Sequence, residues 1–102
     1  MRRLEIIRVR NTGSVPDDLL RDIQSSAATL KQLAECRLYR QAQWASDLSV
    51  HLYFDAGADD PKAREFGMRI ADALSEHGMV EHTVWLEEPG RDGSEPLEEK
   101  KR

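Results

Sequence analysis

The sequence predicts an α+β fold with the element order βαββαβ around one antiparallel sheet. Three observations carry this. Two segments, 15–34 and 61–77, place apolar residues at helical spacing. Four others alternate apolar and polar residues, as half-buried strands do. Clusters of Gly, Pro, Asn and Asp mark most of the junctions. With 102 residues, the chain has room for one domain.

The first strand is LEIIRVR, residues 4–10, rich in β-branched side chains and ending at Asn11-Thr12-Gly13. Ser14 stands three residues before Asp17 with Pro16 between them, which resembles a capping box. Leu19, Ile23, Ala27, Leu30 and Ala34 then form one stripe, and the first helix is expected over 15–34. Cys36–Arg40 and Leu48–Phe54 alternate, with Gln43–Asp47 between them as a hairpin connection. A competing reading extends the first helix to Trp44. Asp60 as N-cap and Pro61 at the first helical position open the second helix. Ala63, Phe66, Ile70, Ala73, Leu74 and His77 share one of its faces, and Gly78 stops it. Residues 79–87 alternate again as the last strand. This order is the ferredoxin-like plan: four antiparallel strands with both helices on one face.

Composition narrows the function classes. The chain is 33% charged and 39% hydrophobic, with a formal net charge of −4. No basic stripe offers a nucleic-acid footprint, and SVHLYF lacks the Gly- and Arg-containing pattern of an RNA-binding strand. Nucleic acid is therefore not an expected partner. No apolar run approaches the ~18–20 residues of a membrane span. No apolar h-region follows Arg2 and Arg3, so the expected location is the cytoplasm, away from membranes. The single Cys36 suits a reducing compartment and a small apolar role. Residues 89–102 hold almost no apolar side chains and are read as a disordered charged tail, leaving 1–88 as the domain.

The strands have more apolar surface than two helices can cover. Leu48, Val50, Leu52 and Phe54 belong against the helices, with Ser49, His51 and Tyr53 opposite. In the last strand Val80, His82, Val84 and Leu86 share one face; Glu81, Thr83, Trp85 and Glu87 share the other. The first strand is apolar on both sides. Placing Ile7 and Val9 against the helices leaves Arg8 with Leu4 and Ile6 on the open face; the opposite assignment is nearly as good. Aliphatic and aromatic groups there favour a second covering layer, and a homodimer supplies it most simply.

The segments IIRVRNTG, CRLYRQAQWASDLSVHLYFD and MVEHTVWLEE, taken in this element order, resemble the dimeric α+β barrel proteins. These include the antibiotic-biosynthesis-monooxygenase-like and stress-responsive barrel families. The resemblance spans residues 3–88 and lies in pattern and architecture. It implies two subunits facing each other across a cavity between their sheets. Members include cofactor-free monooxygenases and haem-degrading enzymes. The latter use an Asn, a Trp and a His, the last two in the helical half. Here the second helix holds no Trp, Asn11 lies at a turn, and only His77 has a place, so haem chemistry is not expected.

His51 and Tyr53 alternate on one strand face and are the candidate catalytic pair. An imidazole can draw a proton from an acidic substrate, and a phenol can stabilise the oxyanion left behind. Arg8, Tyr39 and Trp85 join them as candidate ligand-binding residues. The plainer alternative is that His51 and Tyr53 hydrogen-bond across a subunit interface. His82 is expected to be a satisfied, partly buried histidine, and His77 to favour a helix C-terminus. Three histidines on separate elements and one cysteine make no metal set. No cofactor motif is present, and Trp44 is expected to pack within the dimer. Three readings stay open: a homodimer holding a small organic ligand, a cofactor-independent monooxygenase, and a structural or regulatory dimer without a ligand.

Overall fold

A computed structural model of the chain describes residues 2–10, 15–44, 46–55 and 61–88. Its elements are β1 (Arg3–Arg10), α1 (Asp17–Ala28), β2 (Leu33–Arg40), β3 (Leu48–Phe54), α2 (Pro61–Leu74) and β4 (Met79–Leu86). All strand pairs are antiparallel, in the order β2-β3-β1-β4. This is the ferredoxin-like βαββαβ arrangement, with β3 and β1 central and β2 and β4 at the edges. The expected hairpin of β2 and β3 is present, and the extended first helix is not.

The core lies between the sheet and the helices. Ile7, Val9, Leu48, Val50, Leu52 and Phe54 from the central strands meet Ile23 of α1 and Ala63, Ile70 and Leu74 of α2. Strand β3 buries every second residue, so its alternation was a direct record of which face the helices cover. The parity of β1 is as expected: Ile7 and Val9 are fully buried, with Arg8 on the other side.

Helix α1 is shorter than its apolar stripe suggested. Thr29 closes it: its backbone N–H and its hydroxyl both bond the Ser26 carbonyl, at 3.1 and 2.7 Å. A β-branched residue that satisfies a final carbonyl in this way ends a helix readily. The chain is then drawn to the sheet where the Asp55 N–H bonds the Gln32 carbonyl, and Leu33 pairs with Phe54. A register shift between Leu33 and Glu35 makes Ala34 an exposed bulge. The bulge turns Leu33, Cys36 and Leu38 towards the helices, while Glu35, Arg37 and Tyr39 face away.

Two further differences concern the helix-facing side. Val84 and Leu86 share the parity of His82 as expected, yet on the edge strand they are 54% and 60% exposed. On α2 the fully buried positions are Ala63, Gly67, Ile70 and Leu74 rather than Ala73. Gly67 is needed there because a Cβ would overlap the Glu5 carboxylate and crowd the His82 ring. Glu5 is the buried charge of the core face, 2% exposed. Its Oε1 shares a 2.8 Å hydrogen bond with His82 Nε2, and its Oε2 lies 3.1 Å from Arg3 Nε. Arg3 in turn lies over the Phe54 ring, 4.3 Å from the centroid.

The expected cap at Ser14, the Asp60 N-cap and the tail 89–102 lie outside the described residues. At the start of α1, Pro16 occupies the N-cap position without a side-chain cap bond. No helix among the described residues is long and apolar enough to cross a membrane.

Candidate functional site

The face of the sheet turned away from the helices carries all five candidate ligand residues. The strand registers set them in rows. One row reads Glu35, Tyr53, Leu4, Trp85 across β2, β3, β1 and β4; the next reads Arg37, His51, Ile6, Thr83; the third reads Tyr39, Ser49, Arg8, Glu81. The charged members have opposite neighbours. Arg37 pairs with Glu35, Arg8 lies 3.8 Å from Asp47, and Glu81 lies 3.4 Å from Arg10.

His51 is the hub of an aromatic cluster on the β2 side. The Tyr39 ring meets it edge-on at 4.7 Å between centroids, and the Tyr53 ring lies at 6.4 Å, tilted by 39°. The Ser49 hydroxyl shares a 2.8 Å hydrogen bond with His51 Nε2. Burial pushes the His51 pKa below the ordinary histidine value. Tyr53 moves up, through desolvation and then the neighbouring Tyr39 phenol, so it keeps its proton and remains a donor at neutral pH. The set is thus a neutral imidazole, oriented by a serine and edged by phenols. Arg8 and Trp85 share the face on β1 and β4. Arg8 stands in the Tyr39–Ser49 row. Trp85 is 57% exposed at the opposite corner, and its Nε1 donates to Thr83 Oγ1 at 2.9 Å.

Two clefts open on this face. One of about 440 Å³ includes Leu4, Glu35, Tyr53 and Trp85 in its lining, and another of about 320 Å³ lies against Ile6, Arg8, Tyr39 and Ser49. Each falls in the size range of small-molecule sites. His82 and His77 lie elsewhere. His82 is engaged by Glu5 on the helix-facing side, and the His77 N–H bonds the Leu74 carbonyl just after α2. Cys36 is half-buried on that same side, where desolvation pushes its thiol pKa up and keeps it protonated.

Sequence reasoning overlooked Ser49, Arg37 and Glu5 as partners. Ser49 shares the strand parity of His51, and Arg37 that of Tyr39, so both were visible as face-mates. What alternation could not show is that the serine reaches the imidazole. Glu5 shares parity with Ile7 and Val9, and a carboxylate at that parity was the available signal of a buried ion pair.

The state of His51 gives a first prediction. A folded-state histidine pKa below its unfolded value means that the unfolded chain binds the proton more tightly. Stability is therefore lost as the pH falls from about 6.5 towards the folded value, and no such loss operates above it. The His51 imidazole should titrate by NMR below about 6.5. The urea midpoint of His51→Gln should fall less on acidification than that of the parent chain. A midpoint above that value would remove the buried-imidazole account.

Solved structures share this architecture. SnoaB from Streptomyces nogalater, described as a cofactor-independent oxygenase, superposes with TM-score 0.66 at 12% identity, covering 89% of this chain and 97% of its own. A conserved protein from Methanosarcina mazei gives 0.63 at 14% identity, with 86% and 95% covered. Rv0793 from Mycobacterium tuberculosis gives 0.61 at 17%, with 87% and 99% covered. No protein-family model matches the chain, and no curated protein matches it in sequence. What these structures share with this chain is the ferredoxin-like α+β unit, one antiparallel sheet with two helices on one face. At these identities the likeness is one of fold.

Proposed function

We propose that the chain works as a homodimer that packs its open sheet faces together and encloses a small organic ligand between them. One observation carries this reading: the side of the sheet without helices is not built for water. Leu4 and Ile6 sit at its centre, with Tyr39 at 42% and Trp85 at 57% exposure around them. Its charges lie beside opposite ones on the same subunit, so covering it leaves no isolated ion to desolvate. The clefts beside Tyr53 and Tyr39 leave room for a ligand once the faces meet. SnoaB and the other structural neighbours support the reading by their shared fold. Sedimentation velocity at micromolar concentration should show a dimer, and native mass spectrometry of that dimer should show added mass from a bound molecule. A stable monomer would overturn the reading.

A second reading, a cofactor-independent monooxygenase, is favoured by one feature, the neutral imidazole of His51. His51 would draw the proton from a phenolic substrate, and the Tyr53 hydroxyl would donate to the oxyanion. Substrate-dependent oxygen uptake that His51→Gln abolishes separates this enzyme from a binding protein.

A further inference from the structure

Ser49 and His51 stand two apart on β3, so both side chains leave the same face of the sheet. Ser49 Oγ lies 2.8 Å from His51 Nε2, and the Tyr39 ring meets the imidazole edge-on at 4.7 Å between centroids. The charge state of the histidine sets the roles within the pair. An imidazole held by burial below the ordinary histidine pKa is neutral at pH 7. With its one proton on Nδ1, its Nε2 lone pair accepts from the serine hydroxyl. A serine hydroxyl is a weak nucleophile by itself, and a base within hydrogen-bond reach is what activates it.

The smaller of the two clefts on the open face brings the serine, rather than the histidine, to a bound molecule. Ser49 belongs to its lining together with Ile6, Arg8 and Tyr39, and His51 does not. The hydroxyl therefore meets the cleft with the base behind it. Arg8 is the residue directly across from Ser49 in the β1–β3 register. A guanidinium has five N–H donors, more than one carboxylate can occupy, and Asp47 stands 3.8 Å from this one. The Arg8 side chain is 46% exposed, so it can turn donors to negative charge that develops beside Ser49. At about 320 Å³ the cleft is near the lower end of the range for small-molecule sites, which suits a short acyl group.

We propose that Ser49 and His51 are a nucleophile–base pair that takes the acyl group of a short-chain carboxylic ester, with Arg8 as the donor to the oxyanion. Ser49 Oγ bonds to the ester carbonyl carbon while its proton passes to His51 Nε2. The carbonyl oxygen carries the negative charge of the tetrahedral intermediate and accepts from the Arg8 guanidinium. When the carbonyl re-forms, the ester C–O bond breaks, and the leaving alkoxide takes the proton from Nε2. Water then attacks the acyl-serine, giving its proton to His51, which returns one to Ser49 Oγ as the carboxylic acid departs. This activity goes beyond both the ligand and the oxygenase readings and requires neither, because the pair and the cleft belong to one chain.

The test uses p-nitrophenyl acetate on the intact protein, read by p-nitrophenolate release and by mass spectrometry of the acid-quenched chain. Diisopropyl fluorophosphate, whose serine adduct does not turn over, serves as a second probe and should modify Ser49 with loss of fluoride. Ser49→Ala should abolish both reactions, and Ser49→Cys should still take the acetyl group. His51→Gln should slow acylation by roughly a hundredfold or more, and Arg8→Gln by roughly tenfold or more. Circular dichroism identifies any variant that fails to fold, and the cysteine variant keeps the test open if the alanine one does. If neither reagent modifies Ser49, or if Ser49→Ala releases p-nitrophenolate as the parent does, the assignment is wrong. Modification of Ser49 at the parent rate in His51→Gln would overturn the pair as a working unit. A parent rate in Arg8→Gln would strike Arg8 from the oxyanion role.

Discussion

Glu5→Ala is expected to lower the stability of the fold by about 3 kcal/mol, the low end of what removing one partner from a buried ion pair costs. The carboxylate is 2% exposed and serves two partners at once, Arg3 at 3.1 Å and His82 at 2.8 Å. Alanine leaves the guanidinium and the imidazole facing a void beneath Gly67. Two effects keep the loss from being larger. The Arg3 and His82 side chains are 11% and 23% exposed, so water can reach them in part. The glycine also lets α2 settle a little towards the sheet. Glu5→Gln should cost less, because the amide keeps an oxygen and the shape of the side chain. Urea unfolding of the three proteins at pH 7 decides the matter. An alanine variant within about 1 kcal/mol of the parent would mean that the cluster contributes no more than an exposed pair.

The same cluster shows where sequence reasoning succeeds and where it stops. Alternation in LSVHLYF identified the core face because burial on one side of a sheet forces a period of two, whereas the first strand, apolar on both sides, left its parity open. The start of α2 was marked by Pro61, whose fixed φ suits the first helical position. The end of α1 was hidden because the apolar stripe continues through Leu30 into Ala34, and period alone does not reveal that Thr29 turns the chain. The bulge at Ala34 is also invisible in a pattern, since it consists of one skipped pairing. The five candidate residues were placed on one face by parity, and the registers put them there. Parity does not measure distance along the face. It grouped Trp85 with His51, although β1 lies between their strands and Trp85 stands one row away, opposite Leu4. Ser49 and Glu5 act through side-chain reach across or along strands, which depends on rotamers and neighbours rather than on residue order.

In the homodimer proposed above, Ile6→Glu should convert dimers to monomers at concentrations where the parent chain remains associated. Ile6 stands on a central strand, in the middle row, with His51 and Thr83 as its cross-strand neighbours. If the open faces meet about a two-fold axis, the substitution enters the interface twice, and each new carboxylate must be desolvated with no partner placed to receive it. An uncompensated buried charge costs about 3–5 kcal/mol. Two of them cost about 6–10 kcal/mol, comparable with the ~8 kcal/mol of a micromolar association. Trp85→Glu separates the geometries. Trp85 is at a corner, on an edge strand, where a carboxylate can turn to solvent; in a face-to-face dimer it should weaken association less than Ile6→Glu does. In an edge-to-edge dimer through β4 the order reverses, because Ile6 would then lie far from the contact. Sedimentation velocity across a concentration series ranks the two variants. Circular dichroism should show Ile6→Glu folded, because Ile6 faces away from the helix-packed core. A folded Ile6→Glu chain that dimerises as the parent does would show that the two subunits meet somewhere other than the open face.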